Sequence, residues 1–61
     1  MIIEDTCNQF YRVWPAPAEI PQCWFGQNVK RVKGEWVPTA RGLKRPVALV
    51  SKAHSLRVVE A

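Results

Sequence analysis

The stretch CWFGQNVKRVKGEWVP, Cys23 to Pro38, reads as strand, turn, strand. Valines and aromatic residues flank Lys33-Gly34, and a glycine between two β-prone runs is a hairpin signal. Outward from it, QFYRVW (Gln9–Trp14) is rich in aromatic and β-branched residues and predicts another strand. Between them lies PAPAEIPQ, whose three prolines favour extended or polyproline II backbone and exclude a central strand. On the other side, Thr39–Pro46 predicts a loop around Gly42. VALVS (Val47–Ser51) predicts a strand buried on both faces. KAHS (Lys52–Ser55) predicts a tight turn or one 3₁₀ turn, and LRVVEA a last strand. No long helix is expected. The long stretch free of Gly and Pro at the start of the sequence, Met1–Trp14, lacks a sustained 3.6-residue period.

Short strands at this spacing predict an all-β fold: a small, strongly curved sheet or an SH3-like barrel of four to five short strands. From Trp24 to Val59, the order of basic hairpin, strand, tight turn and short last strand resembles that of SH3-like small barrels. The alternative is α+β, an antiparallel meander packed on one short helix. Residues 1–61 make a single small domain. A chain this short buries only about 60% of its unfolded surface, so large side chains must anchor the core. Trp14, Trp24 and Trp36 suit that need, with Trp36 the best candidate for partial exposure. A homodimer pairing edge strands would relieve both the small core and the open edges.

Little in the sequence supplies catalysis, and the expectation is a non-enzymatic protein without cofactor or metal. His54 is the sole histidine, and no spacing brings it to a cysteine. Cys7 and Cys23 are sixteen positions apart, unlike the close ligand pairs of structural zinc sites. They are expected as buried, reduced, silent thiols in a cytoplasmic protein. No apolar run approaches the roughly 18 residues of a membrane helix, and no membrane partner is expected. WPAPAEIPQCW offers a polyproline ligand for another domain's groove, but its prolines lack a P-x-x-P spacing and read better as a rigid connector.

Charge is the strongest functional signal. Val29–Pro46 holds six of the nine Lys and Arg residues and one of the five acids. Residues 1–28 carry Arg12 against Glu4, Asp5 and Glu19, so the positive field belongs to the middle of the chain. Lys30, Arg31, Lys33, Arg41, Lys44 and Arg45 are candidate phosphate contacts, with Trp36 a candidate for stacking on a base. The first expectation is therefore contact with nucleic acid, DNA or RNA, through its backbone. A second is an inhibitor or accessory subunit whose basic face docks on an acidic protein surface, with Trp36 as anchor. The plainer alternative is a solvated face that keeps a small sheet soluble.

Overall fold

The computed structural model describes all 61 residues, Met1 to Ala61. Six strands form: β1 (Ile2–Asp5), β2 (Phe10–Pro15), β3 (Cys23–Val32), β4 (Glu35–Pro38), β5 (Ala48–Ser51) and β6 (Ser55–Glu60). A helix, α1 (Ala40–Lys44), joins β4 to β5, and a 3₁₀ turn, Lys52–His54, joins β5 to β6. The hairpin falls where the sequence places it. Val32 pairs with Glu35, leaving Lys33 and Gly34 as a two-residue loop. Both have positive φ, 50° and 82°, the signature of a type I′ turn whose twist matches its strands.

Long, bent β3 organises the sheet. One edge pairs with β2 from Trp24 to Val29. The other edge is shared: Val29–Val32 pair with β4, and Cys23–Gly26 pair with β5. Gln27 and Asn28 lie between these two ladders, and α1 fills the gap beside them. The strand order is β4-β3-β2-β1-β6, all antiparallel, with β5 on β3 off that path.

The expected all-β curved sheet is present, with two corrections to its detail. It has six strands rather than four to five, because Ile2–Asp5 is also a strand. It is not a closed barrel: β4 and β6, the ends of the path, share no ladder. They nevertheless approach each other. Four strand spacings would hold them about 19 Å apart in a flat sheet, yet Trp36 on β4 donates to Glu60 on β6 at 2.6 Å. Curvature brings the ends together, and side chains rather than backbone bridge them.

The core is small and two-sided. Ile3, Val13 and Val50 form the buried cluster, with Met1, Tyr11 and Trp24 packed against it. Ile2 and Ile3 are successive strand residues and face opposite ways, yet are 3% and 0% exposed. Both faces of β1 are therefore covered. Gly26 lets the two walls of the cluster meet, since a Cβ there would lie 2.8 Å from Val50 Cγ2 and 3.1 Å from Val13 Cγ1. Contrary to expectation, VALVS is buried on one face only: Val50 is buried while Val47 and Leu49 are exposed. Register puts Leu49 beside Phe25 on the side away from the core cluster. The proline-rich connector is not an extended rod either. Pro15 ends β2, and the chain then turns twice, with Ile20 N–H donating to Pro17 O at 2.9 Å and Cys23 N–H to Ile20 O at 3.3 Å.

Candidate anion-binding face

The segment expected as a loop contains α1, and Thr39 starts it. Thr39 is extended (φ −76°, ψ 173°) and its Oγ1 accepts from Gly42 N–H at 3.1 Å, a side-chain N-cap. Arg45 N–H closes the far end on Arg41 O at 2.9 Å. Buried Asn28 anchors the helix to β3. Its carbonyl accepts from Thr39 N–H at 3.1 Å, and its side-chain oxygen accepts from the Thr39 hydroxyl. Its amide donates to Phe10 O at 3.1 Å, tying β2 into the same network. Gln27 Nε2 adds a bond to Gly42 O at 3.1 Å. Gly42 permits this approach: a Cβ there would stand 2.1 Å from Asn28 O.

The result is a set of bases held on a fixed short helix. Arg41 and Lys44, three positions apart, share one side of α1, and Arg45 follows as its C-cap residue. Together they line a hollow of about 370 Å³. All three are exposed, and none is in an ion pair; the ion pairs are Arg31–Glu60 and Arg57–Glu4.

The other sequence candidates divide into two groups. Lys30 and Lys33 are exposed near the hairpin tip, likewise outside any ion pair. Strand alternation puts Lys30 on the same side of β3 as Asn28. Arg31 and Trp36 lie on the opposite side, locked into a bridge. Arg31 Nη1 donates to Glu60 Oε2 at 3.1 Å, and its guanidinium sits 5.2 Å from the Trp36 ring centre. Phe10 leans on the same ring at 5.1 Å. The Trp36 N–H holds the Glu60 carboxyl below its ordinary pKa, with Arg31 adding to the effect. Trp36 itself is half-buried.

A second cleft, of about 250 Å³, opens on the other side of Arg41 and Arg45. Its remaining polar walls are Asp5, Tyr11, Asn28, Ser51 and His54. Burial, then the neighbouring Asp5 carboxylate, pushes the Tyr11 phenol above its usual pKa, while Arg41 draws it down. Sequence reasoning missed this group because its members lie up to 49 positions apart, with no motif to link them. Contrary to expectation neither cysteine is buried: Cys7 is exposed and Cys23 half-buried, and both are free thiols. Nowhere do three His, Cys, Asp or Glu side chains gather as metal ligands. No helix is long and apolar enough to cross a membrane.

Comparison with known proteins leaves the geometry to speak for itself. The chain matches no protein-family model, no curated protein and no solved structure.

Proposed function

We propose that this protein is a small non-enzymatic binding module that contacts nucleic acid through the phosphate backbone. The observation that carries this reading is the convergence of Arg41, Lys44 and Arg45, all exposed and outside any ion pair, around one hollow. Bases already neutralised by carboxylates would gain little from phosphates. Unpaired ones release the counterions of the nucleic acid on contact. Lys30 and Lys33 extend the positive surface toward the hairpin tip. Arg31 on β3 and Trp36 on β4 support the fold by both bonding Glu60 on β6.

The test is affinity for unrelated duplexes and single strands across a salt series. With about four phosphates engaged, log affinity against log salt should have a slope near −3 to −4. Arg41→Glu with Lys44→Glu should weaken every sequence and flatten the slope by about 2. A folded protein with no affinity for any DNA or RNA at low salt would end this reading.

One observation favours a second reading, docking on an acidic protein surface. Leu43, 69% exposed, lies between Arg41 and Lys44, and Val47 and Leu49 are also exposed. Leu43→Asp would abolish such docking but leave backbone binding to nucleic acid nearly intact. The outer edge of β6 is where a second copy of the chain would add its strand, and sedimentation at rising concentration reads that out.

A further inference from the structure

We propose that the cleft between α1 and the 3₁₀ turn binds a phosphate monoester carried on a hydroxylated body, such as a phosphorylated sugar or the phosphorylated end of a nucleic-acid strand. This goes beyond backbone contact and shares only Arg41 and Arg45 with it.

The argument begins with a surplus of donors. Arg41 and Arg45 enter the cleft from α1, and Ser51 and His54 line it from the end of β5 and the 3₁₀ turn. The Tyr11 phenol comes from β2 and lies beside the Asp5 carboxylate. The side-chain bonds made by guanidinium groups in this protein belong to Arg31 and Arg57, so Arg41 and Arg45 keep all their donors. Ser51 Oγ accepts from Ala53 N–H at 3.3 Å, which leaves its own proton to give. Two guanidiniums face one carboxylate, Asp5, so the cleft is net positive.

Geometry selects the anion. A flat carboxylate is satisfied by one bidentate guanidinium. Donors arriving from four separate elements suit the tetrahedrally disposed oxygens of a terminal phosphate. Volume limits the rest of the ligand, since about 250 Å³ lies below the roughly 300–1,000 Å³ of drug-sized sites. Asp5 supplies the second requirement. Its Oδ1 accepts from Cys7 N–H at 2.8 Å and Gln9 N–H at 2.9 Å, which fixes the carboxylate in place. A fixed acceptor opposite an anion site repels further phosphate and welcomes a hydroxyl.

The experiment titrates the folded protein with ribose 5-phosphate, inorganic phosphate and ribose at constant ionic strength, followed by ¹H–¹⁵N NMR. Ribose 5-phosphate should saturate one site and bind tighter than inorganic phosphate; ribose should not bind. Arg45→Gln should weaken ribose 5-phosphate about tenfold, the loss of one charged hydrogen bond. Ser51→Ala and His54→Ala, both outside the core, should weaken it several-fold and leave the salt slope for duplex unchanged. A single strand with a 5′-phosphate should outcompete its 5′-hydroxyl twin if strand ends are the source. Equal affinity of the two strands, with ribose 5-phosphate still bound, assigns the cleft to free sugar phosphates. Failure of ribose 5-phosphate to saturate at millimolar concentration, or binding untouched by Arg45→Gln and His54→Ala, would overturn the proposal. Equal binding of inorganic phosphate would overturn the hydroxyl contact. Duplex binding lost while ribose 5-phosphate binding persists would count against the backbone reading alone.

Discussion

Replacing Gly42 with alanine should destabilise this protein, although helix propensity alone argues the reverse. In an exposed helix interior, Gly→Ala gains about 1 kcal/mol. Here the new Cβ would lie 2.1 Å from Asn28 O and 3.1 Å from Asn28 C, with Gln27 Cγ at 3.3 Å. The obstacle is backbone in a paired strand and cannot rotate away. Helix α1 must therefore move off β3 by about an ångström, at the roughly 1–3 kcal/mol typical of overpacking. The move also stretches the Thr39 N–H bond to Asn28 O, now 3.1 Å, worth about 1 kcal/mol. The net is a loss of about 1–3 kcal/mol from a domain whose whole stability should be about 3–9 kcal/mol. Urea unfolding followed by tryptophan fluorescence measures it directly, and a thermal melt should fall by roughly 4–8 °C per kcal/mol. A variant as stable as the parent, or more so, would show that α1 is not seated on Asn28 and would refute the reasoning.

Three further outcomes are expected. Lys33 holds φ of 50° in the hairpin turn, so Lys33→Asn should stabilise the protein by about 0.5–1 kcal/mol in the same urea assay. Glu60 has its folded pKa below the ordinary 4.5, so its contribution is present above that value and disappears as pH falls through the lower one. Glu60→Gln should accordingly lose part of the stability seen at neutral pH and flatten its decline as pH falls below 4.5. Tyr11 is the sole tyrosine, so phenolate absorbance reports it alone. Its midpoint should lie above 10.0, fall in Asp5→Asn and rise in Arg41→Gln; a midpoint at or below 10.0 in the parent would contradict its placement.

The parts of the fold that the sequence makes legible are the local ones. Lys33-Gly34 between valines and tryptophan specifies a hairpin because turn and strand preferences agree within a few residues. Strand β1 is harder to see. A half-buried strand announces itself by alternation, and Ile2-Ile3 has none because β1 is covered on both faces. Helix α1 is obscured by Gly42 and Pro46, which read as breakers. Gly42 in fact marks close approach to β3, and Thr39 was the available start signal. For the site, the gathering of bases is plain in the sequence, but their division is not. Arg31 and Glu60 are 29 positions apart, and only the curl of the sheet makes them partners. Asp5, Tyr11 and His54 likewise meet through strand pairing that no local pattern records.

The placement of β1 between β2 and β6 sets the order of events during synthesis. The hairpin of β3 and β4, and the ladder of β1 on β2, can zip as soon as their residues leave the ribosome. Pairing of Ile2 with Glu60 joins β1 to β6, the strand made latest of the six, and must wait until β6 has emerged. Until then β1 offers an open edge bearing two isoleucines, the kind of surface that recruits other nascent chains. Closure of so long a loop is entropically costly and slows folding. Strand β6 thus acts as a late-arriving cover, and a chain lacking Ser55–Glu60 would be prone to aggregate.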